Sequence, residues 1–261
     1  MNVQRVLGLG CAAALAVIVI VSLALWGIVG LTTSPTHRQL EKIPEDIPPQ
    51  APAEVPDIDV HGEGRTSDKL KYWSEDISEQ TEIPGQALRA YGNAELIARD
   101  AWPECHLRWN TLAGIGWVET RHGTYSGNRL HPPHLNDAGV ADPKIIGIPL
   151  DGDNGTQRIE DTDDGVFDED TEFDRAVGPM QFISASWDQF GLDANGDGVA
   201  DPHQIDDAAL SSAKLLCSGE RDLSDEDDWA DAIFAYNHSS DYLQRVAGAA
   251  NSYAIGQPAV S

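Results

Sequence analysis

The chain has 261 residues, enough for one or two domains, and carries 43 acidic against 17 basic side chains, a formal charge of -26. A protein that binds phosphates needs a basic face, so this balance argues against a nucleic-acid-binding protein and against electrostatic docking on anionic lipid. Hydrophobic residues make up 41% of the chain, which is sufficient for a folded core.

The N-terminal stretch is apolar. Residues 6–31 contain no charged side chain, and a helix of that length would span about 39 Å against the roughly 30 Å of bilayer hydrocarbon. Cleaved signal peptides have shorter apolar segments that end in small residues, which residues 26–32 do not provide. We therefore predict a short cytoplasmic tail at residues 1–5 and an uncleaved, single-pass transmembrane signal anchor at residues 6–31.

Residues 32–83 are predicted to form an extended, proline-rich and acidic linker. Six prolines fall between Pro35 and Pro56, and such a composition buries too little apolar surface to fold alone. The linker would hold the following domain away from the bilayer. Within it, residues 68–73 are predicted as either a short helix or a strap on the folded domain.

Residues 84–256 are predicted to form a mainly helical domain. Apolar residues at helical spacing and capping signals predict five helices, the fourth starting with a capping box at Ser224. These helices are residues 86–101, 107–118, 206–217, a segment from residue 224, and residues 240–253.

A long irregular insertion is predicted over residues 126–175. Its part from 151 to 174 carries 11 acidic residues and one basic residue, Arg158. A solvated loop is the ordinary interpretation of such a segment. The alternative is a cation-binding or substrate-lining loop in which Asp161, Asp163 and Asp164 supply oxygen ligands.

Two cysteines, Cys105 and Cys217, lie outside the apolar segment. They suit one disulfide in an exported domain, and two unrelated buried thiols are the alternative. The positive-inside rule does not decide the orientation, because Arg5 precedes the apolar segment and Arg38 follows it. A disulfide would favour a domain on the outer side of the cell membrane.

Residues 114–123 read GIGWVETRHG and place Glu119 at the end of an apolar helix. A carboxyl group in such surroundings loses hydration, which raises its pKa. A raised pKa suits a general acid that protonates a glycosidic oxygen near neutral pH. Taken alone, the position is more typical of a solvated helix end than of a catalytic residue. His122 is expected to have a structural role in the following turn.

Two further motifs follow in order, AVGPMQF at residues 176–182 and AYN at residues 235–237. Together with residues 114–123 they resemble the membrane-bound lytic murein transglycosylase B family of the lysozyme-like superfamily. The resemblance covers roughly residues 84–256 and implies a mainly α fold of the α+β lysozyme-like type. Ser184 departs from the pattern, because many relatives have proline there.

The resemblance implies cleavage of the MurNAc–GlcNAc β-1,4 bond of peptidoglycan strands, with 1,6-anhydro-muramic acid ends and no cofactor. Glu119 would be the single catalytic acid and then base. The implied substrate-binding residues are Gln181, Tyr236, Asn237, Met180 and Phe182. For Met180 and Phe182, as walls of the cleft, plain core packing is the alternative. Asp188 and Asp241 are weaker candidates for a second carboxylate, and solvated roles are favoured for both.

Two other functions stay open on the sequence. A hydrolytic muramidase would use the same cleft with water as the acceptor. A non-catalytic protein would bind peptidoglycan or act as a calcium-dependent scaffold of the wall. An intact Glu119 and Asn237 favour an active enzyme over the scaffold.

Residues 193–204 read DANGDGVADPHQ and match most positions of an EF-hand calcium loop. The predicted ligands are Asp193, Asn195, Asp197, the Val199 carbonyl, Asp201 and Gln204. Gln204 stands where a bidentate glutamate is usual, which weakens the site. A structural Ca²⁺ is predicted, and a metal-free turn rich in Asp and Asn is the alternative.

Overall fold

The computed structural model describes residues 40–153 and 155–260. The predicted tail at residues 1–5 and the predicted anchor at residues 6–31 lie outside these ranges. The chain divides into two compact units, Met1–Glu41 and Lys42–Ser261. Within the described ranges, no helix combines the length and the apolar character needed to cross a bilayer.

The second unit is mainly helical, as predicted. Its α-helices in the described ranges are α1 (Lys71–Thr81), α2 (Gly85–Ala101), α3 (Trp109–Thr120), α4 (Ser184–Phe190), α5 (Ile205–Leu216), α6 (Glu226–Tyr236) and α7 (Ser240–Ala254). Two short 3-10 helices, Thr66–Leu70 and Pro103–Cys105, precede α1 and follow α2. Four short strands complete the unit: β1 (His134–Leu135), β2 (Ala141–Asp142), β3 (Ile146–Pro149) and β4 (Arg175–Val177).

The five predicted helices correspond to α2, α3, α5, α6 and α7, with small shifts at their ends. The capping box at Ser224 is wrong. The cap of α6 is Asp225, whose carboxylate accepts the backbone N–H groups of Asp227 and Asp228. Aspartate is a strong N-cap because its oxygen pairs with amides that lack a partner inside the helix.

The insertion at residues 126–175 is less irregular than predicted, because it contains three of the strands and the first residue of β4. Strands β1 and β2 pair antiparallel, and β3 pairs antiparallel with β4, where Ile146 lies opposite Val177. The pairing of β3 with β4 brings together the two ends of the acidic segment at residues 151–174. The AVGPMQF motif begins within β4, at Ala176, and continues into the loop that follows it.

The extended linker predicted over residues 32–83 is wrong in its second half, where α1 and the preceding 3-10 helix lie. Its proline-rich part from residue 42 belongs to the compact unit. Two indoles explain the attachment: Trp109 donates to the Ala53 carbonyl and Trp73 to the Glu54 carbonyl, both at 2.9 Å. Extended backbone leaves its carbonyls free for such donors.

Helices α3 and α7 pack tightly against each other in the core. A Cβ atom added to Gly114 would lie 2.7 Å from the carbonyl oxygen of Val246 on α7, so only glycine allows this approach. Leu112 and Ile115 of α3 are fully buried. This packing fixes the C-terminal turn of α3 beside the N-terminal turns of α7.

The predicted disulfide is confirmed. Cys105 and Cys217 are bonded, with their Cα atoms 5.4 Å apart and 112 positions between them in sequence. The bond ties the 3-10 helix after α2 to the end of α5. It therefore clamps one end of the helical core.

Candidate functional site

A cavity of about 340 Å³ opens beside the C-terminal turn of α3. Its walls come from α3, β4 and the loop after it, α4, α5 and the end of α6. The lining residues are Glu119, Ala176, Gln181, Phe182, Ile183, Ser186, Leu215, Ala235, Tyr236 and Asn237. The sequence motifs at residues 114–123, 176–182 and 235–237 thus all contribute to this cavity.

Glu119 is partly buried in the last turn of α3. Burial raises the pKa of its carboxyl group to about 7, although a hydrogen bond from Tyr242 and the positive charge of Arg245 oppose the rise. The Tyr242 hydroxyl donates to Oε1 at 2.5 Å. Within the described ranges Oε2 has no protein hydrogen-bond partner, so it is free for a ligand. Such a group holds and releases a proton near neutral pH.

Tyr242 is the residue that orients Glu119, and the sequence did not single it out for this role. Burial and the neighbouring Glu119 charge raise the pKa of Tyr242 well above its ordinary value, so the hydroxyl stays a donor. Its ring stacks nearly parallel to that of Tyr236, with centroids 6.4 Å apart. The one feature of the sequence that could have indicated this role is that Tyr242 lies six residues after Tyr236.

Tyr236 and Asn237, predicted as substrate contacts, both line the cavity. The Tyr236 hydroxyl donates to the Met180 carbonyl at 2.7 Å and lies 3.1 Å from the Ser212 hydroxyl, so protein groups already occupy it. Asn237 follows the last residue of α6, and no described residue hydrogen-bonds its side-chain amide. Asn237 can therefore bind a ligand with its amide, whereas Tyr236 contributes the face of its ring.

Gln181 is held by a tight turn that begins at Gly178. A Cβ atom at Gly178, where φ is +74°, would lie 1.8 Å from the Pro202 carbonyl oxygen, so the turn requires glycine. Gln181 itself has φ of +51°. Its Nε2 donates to the Gly178 carbonyl at 3.1 Å, which leaves Oε1 to accept a hydrogen bond from a ligand.

Met180 and Phe182 were predicted either to form walls of the cleft or to pack in the core, and the structure differs for the two residues. Met180 is fully buried and does not line the cavity, so its assignment as a cleft wall is wrong and core packing explains it. Phe182 is almost fully buried yet lines the cavity. Its ring packs edge-on against Trp187 and Tyr236, at centroid distances of 5.2 and 5.9 Å.

Glu119 is the single carboxylate among the described residues that line the cavity. Asp188 and Asp241 are exposed and lie outside its walls. His122 is buried, with Nδ1 3.2 Å from the Tyr91 hydroxyl and Nε2 2.9 Å from the Tyr253 hydroxyl. Burial lowers its pKa to about 3, so it is a neutral structural residue, as expected.

The loop at residues 193–204 folds around aspartate and asparagine side chains. Asp193 accepts the backbone N–H groups of Gly196 and Gly198, and Asp197 accepts that of Val199. These oxygens are of the chemical kind that calcium prefers. A structural Ca²⁺ on the loop therefore stays a prediction.

Gln204 does not act as the twelfth ligand. Its Oε1 caps α5 by accepting the Asp207 N–H, and its Nε2 donates to Asp206. Asp207, which no sequence motif indicated, accepts backbone N–H groups of Ala194 and Asp201 and so closes the loop. Burial raises the pKa of Asp207 to about 7.

The acidic insertion brings Asp161, Asp163 and Asp174 together, with ligand atoms within 4.8 Å of one another. Asp174 takes the place that the sequence suggested for Asp164. All three carboxylates accept backbone N–H groups of the insertion, including those of Thr162 and Gly165. Hydrogen bonding within the insertion accounts for the cluster.

Comparisons with known proteins identify no relative. Searches against family models, curated proteins and solved structures found no match for this chain. The assignment of a function therefore depends on the chemistry of the cavity and on the sequence motifs that form it.

Proposed function

We propose that this protein is a membrane-anchored lytic transglycosylase that cleaves peptidoglycan strands between MurNAc and GlcNAc and leaves 1,6-anhydro-muramic acid ends. Its helical domain would have the lysozyme-like fold, and residues 6–31 would anchor it with the domain on the outer side of the cell membrane. The disulfide supports that side, because such bonds persist in oxidising compartments.

The observation that carries the proposal is a single carboxylate with a raised pKa in a cavity of polar and aromatic residues. A hydrolytic glycosidase ordinarily uses two carboxylates, one as acid and one as base or nucleophile. Glu119 has no second carboxylate beside it in the described lining. A transglycosylase needs only one, because the substrate supplies its own acceptor.

The reaction would proceed in two proton transfers through Glu119. Its protonated carboxyl first donates to the oxygen of the glycosidic bond, which breaks at muramic C1. The resulting carboxylate then takes the proton of the C6 hydroxyl of the same sugar, whose oxygen attacks C1. Because this attack is intramolecular, it benefits from a high effective concentration. The N-acetyl group of the substrate can stabilise the positive charge at C1.

The other lining residues would hold the sugar during these steps. Asn237 and the Oε1 atom of Gln181 offer hydrogen bonds that no other residue of the described ranges uses. The Tyr236 and Phe182 rings give apolar surface beside them. Tyr242 keeps one oxygen of Glu119 fixed, so that Oε2 can face the glycosidic bond.

The test compares purified cell walls digested by the wild type, by Glu119→Gln and by the control Asp241→Asn. Asp241 is an exposed carboxylate next to Tyr242 that does not line the cavity. Removing the general acid should lower the rate of glycan release by roughly 10²–10⁴-fold, whereas the control should keep the wild-type rate. Mass spectrometry should find anhydro ends on the wild-type products.

Two results would contradict the proposal in different ways. Release by Glu119→Gln at the wild-type rate would remove Glu119 from the chemistry. Reducing ends in place of anhydro ends would assign the cavity to a hydrolytic muramidase.

A further inference from the structure

A second cavity of about 270 Å³ is lined by residues at the end of α3 and on α7. Two arginines line it, Arg121 directly after α3 and Arg245 on α7, together with the apolar side chains of Trp117, Val118, Ile43 and Ala249. We call it the arginine pocket. It combines two cations with an apolar floor and has no acidic residue in its described lining.

The arginine pocket brings together two cations that have no acidic partner among the described residues. Acidic residues outnumber basic ones by 43 to 17, and several arginines of the fold, such as Arg65 and Arg175, lie in ion pairs with aspartates. Arg121 and Arg245 make no ion pair with any described residue, and they lie near enough to repel each other. Two unneutralised guanidinium groups side by side form a site for an anion.

Arg121 is held in position for such a ligand. Its guanidinium stacks over the Trp117 ring at 3.9 Å, and one of its nitrogens donates to the Trp117 carbonyl at 2.9 Å. The stacking and this hydrogen bond orient the guanidinium group and leave its remaining N–H groups free. Preorganised donors lose less entropy when they bind.

The pocket lies next to the proposed catalytic group. Val118, in its wall, immediately precedes Glu119, and Arg245 follows Tyr242 by three residues, which places both on the same side of α7. The positive charge of Arg245 acts on Glu119. A substrate bound at Glu119 therefore has the arginine pocket within reach of its substituents.

We propose that the arginine pocket binds a free carboxylate of the peptide attached to muramic acid, with the aliphatic part of that peptide on the apolar floor. This inference rests on the proposed function, because the peptide is a substituent of the proposed substrate. The two arginines would thereby select glycan strands that still carry peptides. They would also offset the repulsion between an acidic wall and an acidic protein.

The binding test uses the full chain and the free peptide L-alanyl-γ-D-glutamyl-L-lysyl-D-alanine, with its fully amidated form as the ligand control. Titration calorimetry should find binding of the free peptide and none of the amidated one. Arg245→Met and Arg121→Met should each weaken binding about tenfold, as expected for one lost charge-assisted hydrogen bond. Lys71→Met, which removes an exposed and unpaired cation of α1, is the matched control and should bind as the wild type does.

A kinetic test compares peptide-bearing with peptide-free glycan strands. The wild type should have a lower KM for peptide-bearing strands, and this preference should disappear in Arg245→Met. Equal binding of the amidated peptide, or equally tight binding of inorganic phosphate, would overturn the carboxylate assignment. If the protein is lytic but does not bind the peptide, the proposal that the arginine pocket binds a carboxylate is wrong and the proposed function stands. If the protein binds the peptide but is not lytic, the proposed function is wrong.

Discussion

Replacing Glu119 by glutamine should change the stability of the protein in a pH-dependent way. The folded chain keeps a proton on Glu119 up to a pKa of about 7, whereas the ordinary value is 4.5. The folded state therefore binds the proton more tightly than the unfolded state. Stability falls as the pH rises through this interval, because the ionised carboxylate is poorly hydrated in the cavity.

The magnitude follows from the two pKa values. The difference between 4.5 and about 7 corresponds to about 3 kcal/mol of free energy of unfolding. Partial exposure of Glu119 makes this an upper bound. Glutamine has nearly the same shape, stays neutral at every pH and can still accept from Tyr242. Glu119→Gln should therefore be more stable than the wild type at pH 8.5 and about equal to it at pH 4.

Urea denaturation of both proteins at the two pH values measures the difference. Glu104→Gln, which removes an exposed carboxylate that does not line the cavity, is the control. A gain of the same size at both pH values would refute the reasoning, since it would show that ionisation of Glu119 costs no stability. A loss at pH 8.5 would refute it more strongly, because the charged form would then be the favoured one.

Three other changes test the hydrogen bond to Glu119, the packing of α3 against α7, and the disulfide. Tyr242→Phe removes a hydrogen bond that lowers the pKa of Glu119, so the alkaline limb of the kcat/KM profile should move to higher pH; an unmoved limb would contradict that role. Gly114→Ala places a Cβ atom 2.7 Å from a carbonyl of α7 and should cost about 1–3 kcal/mol in urea denaturation, whereas a neutral result would show that α7 can shift freely. Reducing the bond between Cys105 and Cys217, which are 112 positions apart, should lower the free energy of unfolding by about 4–5 kcal/mol. The double serine variant should reproduce that loss without reductant, and a stability equal to the oxidised wild type would contradict it.

The sequence predicted the helical core well because local patterns determine it. Helices α2, α3, α5, α6 and α7 all have apolar residues at helical spacing, and each lies where the spacing indicated. The proline-rich segment was predicted wrongly for the opposite reason. Its composition cannot bury surface by itself, but the indoles of Trp73 and Trp109 donate to its carbonyls, and those partners are distant in sequence.

The candidate site was predictable in its motifs but not in its contacts. Glu119 and Asn237 were identified from their motifs, and the structure brings them to one cavity. Tyr242 was not identified as the partner of Glu119, because their contact crosses 123 positions and depends on the packing of α3 against α7. Gln204 was assigned to a cation by the spacing of the loop, whereas the start of α5 determines its actual role as a cap.

The source of the oxygen at the cleaved muramic C1 tests the central claim most directly. Cell walls digested by the wild type in ¹⁸O-labelled water should give products whose anhydro ends contain no heavy oxygen, because the C6 hydroxyl of the same sugar is the acceptor. Glu119→Gln should form these products roughly 10²–10⁴-fold more slowly. Heavy oxygen at C1 in the wild-type digest would contradict the account, because water would then be the acceptor.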